Sequence, residues 1–292
     1  MVLSPSESLT ANSSSVFTLV RLVTKMSTLP RSCHNRTVSY WERAPDPRLT
    51  AYVERISFST DPAGEPSPPI RVIPDGRIDL LVSVDAQGDG RADVFGVKTA
   101  ALWAQSERPV ANVAVSFRPG AAAALLGVPA DAVTDRALDA RELFGASDTA
   151  RLLEPKDLEA RGKRLEALLL ARLPAAPSNA AAAVRCAVSR IEARAGQVRI
   201  AALAKGLGIG ERRLERAFRA HVGVSPKTFA RIARFRAAWR ALERGGRGVE
   251  IALAHGYFDQ PHLLRDFVAF AGDSPRRIFP SPGPAAEPSL GA

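Results

Sequence analysis

The chain is poor in the residues that build metal and redox sites. Two of its 292 residues are cysteines, Cys33 and Cys186, far apart and without CxxC spacing. That argues against a disulfide framework or a structural zinc site and suits a reducing compartment, so the cytoplasm is the expected location. Only His34 of the four histidines precedes residue 200, so no Ser/His/Asp or Cys/His grouping is visible and no enzyme is expected. The adjacent pair Cys33-His34 lies near a ragged end. No run approaches 18 consecutive apolar residues, and a membrane-spanning helix is not expected. The apolar run from Val16 to Val23 contains Arg21 and is followed by Lys25, whereas an export signal puts its basic residues first. Residues 1–39 therefore read as a disordered tail, with Met26 as an alternative start.

What is present is a globular composition, 46% hydrophobic and 24% charged, in a length that holds two ordinary domains. The segment Leu49 to Phe58 fits a short helix or a strand. Ile70 to Ile73, Ile78 to Val84 and Val94 to Val97 are β-branched runs punctuated by Asp75-Gly76 and by the stretch from Asp85 to Gly90, the pattern of strands and turns. Asp85, Gln87, Asp89, Gly90 and Asp93 partly match a calcium loop. Gly96 stands where the closing glutamate belongs, however, so a hairpin turn is the better reading. Val113, Val115 and Phe117 alternate with Ala114 and Ser116, which predicts a half-buried strand; Ala121 to Leu126 predicts a helix. The leucines from Leu152 to Leu173 predict helix over 148–173 and offer a dimer surface, and Pro174 to Ser178 breaks it.

Charge divides the chain unevenly. Residues 178–280 carry 19 Lys plus Arg against 8 Asp plus Glu, a net +11, while the remainder sums to −1. Such asymmetry points to a nucleic-acid-binding segment joined to a near-neutral domain. Within the basic segment Ser178 or Asn179 can cap a helix to about Arg194. A short amphipathic helix follows around Ile200, Leu203 and Ala204. After a turn at Gly206 and Gly208, a second helix from Glu211 to Val222 has Leu214, Ala217 and Phe218 inward. Ser225-Pro226 opens a long helix, Ser as cap and Pro at the first position, ended by Gly245-Gly246. Its roughly 17 residues span about 25 Å. The same grammar then recurs: Ile251, Ala252 and Ala254, a turn at Gly256, and a helix from Asp259 with Leu263, Leu264, Phe267 and Phe270 on one face. Two short helices joined by a tight glycine turn form the helix-turn-helix, whose second helix enters the major groove.

The residues from Val184 to Phe279 resemble the DNA-binding domain of the AraC/XylS family of bacterial transcription regulators. The likeness rests on Ile200, Leu203 and Ala204, Leu214 and Phe218, Gly223 with Ser225-Pro226, Arg236, Ile251-Ala252 and His255-Gly256-Tyr257. It continues through Asp259, His262-Leu263, Arg265, Phe267, Gly272 and Ser274-Pro275. The N-terminal part resembles poorly characterised domains found beside this module. The resemblance implies an α+β protein: a strand-rich mixed N-terminal domain, then an all-α C-terminal domain of about seven helices with two helix-turn-helix units. The implied boundaries are a sensor or dimerisation domain over 40–173, a linker over 174–179, the DNA-binding domain over 180–280 and a disordered tail over 281–292.

Carried over by position, the resemblance makes Arg212, Glu215 and Arg216 of the first recognition helix, and Gln260, His262 and Arg265 of the second, the base readers. Arg can bridge guanine, Gln can pair with adenine and Glu can accept from cytosine. Arg213, Arg219, Lys227, Arg276 and Arg277 become the phosphate contacts. His255 and His262 read as packing or DNA-facing residues, since no third metal ligand is near; no metal and no cofactor is expected. Gly210 stands where the family places a capping Ser or Thr, and Pro261 lies just inside the second helix. The implied partners are double-stranded DNA, RNA polymerase, a small-molecule effector of unspecified identity and a second copy of the chain, with no membrane. The competing reading is a DNA-repair alkyltransferase using this module for targeting, which needs a reactive cysteine in a folded setting. Non-specific DNA compaction is the third.

Overall fold

The computed structural model describes residues 39–61, 70–104, 110–246 and 248–279. The readings at Val16 to Val23, Met26, Cys33 and His34 and the tail over 281–292 lie outside them. The N-terminal part is an antiparallel sheet. Its strands are β1 (Ser39–Arg43), β2 (Val53–Thr60), β4 (Asp79–Asp85), β5 (Gly90–Phe95), β7 (Val110–Phe117) and β8 (Ala137–Asp139), in the order β1-β2-β7-β4-β5-β8. A two-stranded ribbon pairs β3 (Ile70–Val72) with β6 (Leu102–Ala104). The stretch at Leu49 resolves into a 3₁₀ turn, Pro47–Leu49, followed by β2. The aspartate-rich stretch is a hairpin turn in which Asp85 Oδ1 accepts from the amides of Gln87 and Asp89.

Strand alternation decides the layering. Ile56 and Phe58 of β2, Leu80 and Val82 of β4, Val94 of β5 and Val113, Val115 and Phe117 of β7 all point into one core. Helices cover that face: α1 (Ala122–Leu126), α2 (Ala140–Phe144), α3 (Ala146–Leu153) and α4 (Leu158–Leu170). The leucine stretch is thus two helices, broken between Leu153 and Leu158, where Pro155 has no amide hydrogen to continue the helical hydrogen-bond ladder. Leu165 and Leu169 are buried in the chain's own core and so leave no leucine seam for a second copy there. The opposite sheet face is buried too, contrary to the half-buried expectation. Ala114 and Ser116 are fully covered, as are Ser57, Ser59 and Asp79. Ser116 Oγ donates to Asp79 Oδ1 at 2.7 Å, whereas Asp79 Oδ2 and the Ser57 and Ser83 hydroxyls have no hydrogen-bond partner among the described residues.

Among the described residues seven helices follow: α5 (Asn179–Ala193), α6 (Ile200–Gly206), α7 (Glu211–Val222), α8 (Pro226–Glu243), α9 (Gly248–Ala254), α10 (Gln260–Ala271) and α11 (Pro275–Ile278). Ser178 caps α5 by accepting from the Ala181 amide. The cores do not divide where the sequence does. Val184, Val188 and Ile191 of α5, Leu203 of α6, Leu214, Phe218 and Val222 of α7 and Phe229 of α8 continue the sheet's core. A second core holds Ile232, Phe235, Ala238 and Trp239 of α8 with Ile251, Tyr257, Leu263, Phe267 and Phe270. Among the described residues no helix is long and apolar enough to cross a membrane.

Candidate nucleic-acid interface

In α7 the core side is Leu214, Phe218 and Val222, at intervals of four. Such spacing fixes one stripe inward and turns Arg212, Arg213, Glu215, Arg216 and Arg219 to solvent, where all five are exposed. Glu215 accepts from Arg219 at 3.2 Å, one turn away. The helix starts at Gly210, which has no side chain to cap it, although Glu211 in its first turn complements the positive end of the helix dipole. It ends at Gly223, whose φ of +97° is the left-handed geometry that glycine adopts freely. The reversal from α6 runs through Gly208 at φ +68°.

The second unit, α9 and α10, is built alike with firmer ends. Asp259 caps α10, its Oδ1 accepting from the His262 amide at 2.7 Å, and Pro261 lies in the first turn, where no amide hydrogen bond is lost. Leu263, Phe267, Phe270 and Ala271 face the core. Phe267 meets the Phe235 ring edge-on at 4.9 Å and stacks on Trp239 at 5.9 Å. Leu264, expected inward, is 42% exposed. It sits about 100° round the helix from Leu263 and leaves the stripe. Gln260 and Arg265 are exposed. His262 is half-buried: its ring packs edge-on against Tyr257 at 5.1 Å, and its Nδ1 accepts from the Phe258 amide.

Between the units runs α8, capped by Ser225 with Pro226 at its start. Lys227 is exposed on its first turn, and Arg276 and Arg277 are exposed on α11. A lock not expected from the sequence aims α10 against α8. Asp266, in the middle of the apolar stripe and 2% exposed in its side chain, accepts from Arg231 at 2.7 Å and lies 3.7 Å from Arg234. Arg234 also stacks its guanidinium over Tyr257 at 4.8 Å. The available signal was an acid on a core face, since a buried carboxylate requires a cation. Burial, then Arg185 beside His221 and Arg244 and Arg240 beside His255, lowers the pKa of both histidines.

Equally unforeseen is the contact between the sheet and this module. The β3 to β4 turn places Gly76 against Phe229 and lets the Asp75 carbonyl accept from Arg236. Burial opposes ionisation of Asp75, but Arg77, Arg236 and Lys98 together hold its carboxyl below the usual range. Asp79 nearby is pushed up to about 6 by burial and by the Asp75 charge. Arg77 closes the cluster on Glu54 at 2.6 Å. On the other side of the contact Thr134 Oγ1 donates to the Gly223 carbonyl at 2.8 Å. Ile73 packs against the second core.

Two capped or glycine-ended recognition helices, joined by one long helix and exposing basic side chains, define a double helix-turn-helix DNA-binding module. Residues 203–279 match the family described as a helix-turn-helix domain, and residues 42–139 match a domain of unknown function, DUF6597. Over residues 203–279 the chain is therefore similar to helix-turn-helix domains. A search of curated proteins finds no match. Among solved structures, an AraC-type transcriptional regulator from Chromobacterium violaceum is 26% identical. That match covers 33% of this chain and 88% of the other, with a TM-score of 0.32. ToxT from Vibrio cholerae is 11% identical over 84% of this chain and 99% of its own, with a TM-score of 0.37; ToxT has also been solved with an unsaturated fatty acid bound. At these TM-scores the likeness says nothing of effector or mechanism here.

Proposed function

We propose that the protein is a sequence-specific cytoplasmic regulator that reads two adjacent major-groove segments of double-stranded DNA, one with α7 and one with α10, under control of its N-terminal domain. The observation that carries this reading is the exposure of two recognition faces, Arg212, Glu215 and Arg216 on one and Gln260 and Arg265 on the other, at the two ends of a single 18-residue helix. At 1.5 Å per residue that helix is about 27 Å long, which suits two grooves repeating about every 34 Å. His262 contributes through the helix start it braces. Arg213, Lys227 and Arg276 would meet phosphates, and so would Arg219 and Arg277 by exchanging their exposed ion pairs with Glu215 and Asp273. The shared core supports control: a small molecule or a second copy bound by the N-terminal domain acts directly on the first unit. Contacts to RNA polymerase belong to the same reading, as the means by which occupancy alters transcription.

Selection of bound fragments from genomic DNA tests this function. One motif in two parts about a helical turn apart is expected, and bound DNA without sequence preference would refute it. If six to eight phosphates are neutralised, affinity falls about a thousandfold or more between 50 and 200 mM salt.

A further inference from the structure

The two recognition helices expose opposite chemistries. On α7 the solvent face is Arg212, Arg213, Glu215, Arg216 and Arg219, charged throughout. On α10 the equivalent face, turned away from Leu263, Phe267 and Phe270, carries Leu264 at 42% and Val268 at 53% exposure, with Arg265 beside them. Leu264 and Val268 are four residues apart, so their side chains are neighbours one turn apart and form a continuous ridge. Pro261, also exposed, extends it by a turn toward the helix start.

An apolar ridge held in water loses free energy unless something apolar covers it. The major groove displays one apolar group on its base edges, the C5 methyl of thymine. Arg265 next to the ridge, in a segment of net charge +11, favours a polyanion as the occupant. We propose that α10 reads thymines through their methyl groups, with Leu264 and Val268 as specificity-determining residues. The α7 half-site is then guanine-rich, read by arginine, and the α10 half-site thymine-rich. This inference rests on the proposed function and assigns the chemistry of one of its two recognition faces.

The test uses the full chain and the site recovered by genomic selection. Each thymine is replaced in turn by deoxyuridine, which removes the methyl group and nothing else. Affinity is then measured by fluorescence anisotropy at one salt concentration. Roughly fourfold weaker binding per contacted methyl is expected, the worth of one buried carbon group, at one or two thymines of the half-site that Arg216→Ala does not affect. Leu264→Ala with Val268→Ala should bind thymine and uridine sites alike, whereas Leu264→Met should keep the difference. Specific binding that ignores every uridine overturns the proposal and leaves the ridge to a protein partner. A uridine penalty that survives in the double variant, or falls only in the arginine-read half, also overturns it. Binding without sequence preference sinks the proposed function itself, and this inference with it.

Discussion

Gly76→Ala probes the joint between the sheet and the DNA-binding module. Gly76 has φ +77°, and a Cβ built there would lie 2.5 Å from Phe229 Cε2 and 2.9 Å from Cδ2. The left-handed geometry costs an alanine about 1–2 kcal/mol. Phe229 is 2% exposed, and its ring meets Phe218 edge-on at 5.6 Å, so it has no room to swing away. Forcing an extra methyl into such packing costs a further 1–3 kcal/mol or so. The expected loss is therefore about 2–5 kcal/mol. Gly208→Ala supplies the control, because Gly208 has φ +68° but nothing within 4 Å of its added Cβ. That variant should lose only the conformational part, about 1–2 kcal/mol. Urea unfolding of both variants, followed by far-ultraviolet circular dichroism, reads the difference. Equal losses for the two would refute the reasoning, since they would mean that Gly76 and Phe229 are not in contact.

Three further outcomes follow from buried charge and from the interface. Asp79 keeps its proton to about pH 6 in the folded chain and only to about 3.8 when free. The folded state binds more protons in that window, so stability falls as pH rises through it, by up to about 3 kcal/mol. Asp79→Asn removes that loss and keeps an acceptor for Ser116; its advantage over the natural chain should grow from pH 4 to 6 and then level off, and a pH-independent difference would contradict this. Asp266→Ala leaves Arg231 and Arg234 without their carboxylate and should cost toward the lower end of about 3–5 kcal/mol, because Arg231 is 40% exposed; Trp239 fluorescence, inside the same core, reports it. In binding titrations Arg216→Ala should lose about 1–3 kcal/mol at particular base pairs, while Arg276→Ala should weaken all sequences alike; equal losses on specific and random DNA would remove Arg216 from the readers.

The C-terminal helices were legible because their ends carry local chemistry. The bounds of α7 follow from a four-residue apolar interval and a closing glycine, and those of α8 and α10 from Ser225-Pro226 and Asp259. Elements without such marks were not foreseen: β8 is three residues, Ala137–Asp139, that take their shape from pairing with β5. Period-two alternation correctly chose the core face of β7 yet could not show that the other face is covered as well, since serine and alanine fit water or a packed sheet equally. In the site, the exposure of the α7 arginines follows from the four-residue apolar interval of Leu214, Phe218 and Val222. The position of Leu264 was not legible, because two adjacent leucines differ by 100° on a helix and only the fold decides which one enters the core.

The division of the cores constrains how control can work. The first helix-turn-helix unit shares its apolar interior with the sheet, through Phe218, Val222 and Phe229, so it cannot shift without disturbing that core. The second unit reaches the sheet by two routes: α8, whose Ala230 lies in one core and Ile232 in the other, and Ile73 beside the Asp75 to Arg236 contact. Close-packed interiors transmit small displacements rather than absorbing them. A ligand that moves the β3 to β4 turn therefore changes the placement of α10 relative to α7 more than it changes either helix. If both helices engage one DNA site, as proposed, a change of angle alone suffices to raise or lower affinity. On this account an Asp75→Asn variant, which removes the charge facing Arg236 and Arg77, should alter the preferred spacing or the affinity of the two-part site while leaving the bases preferred within each half unchanged. A changed base preference within either half would show that the turn does more than set the angle.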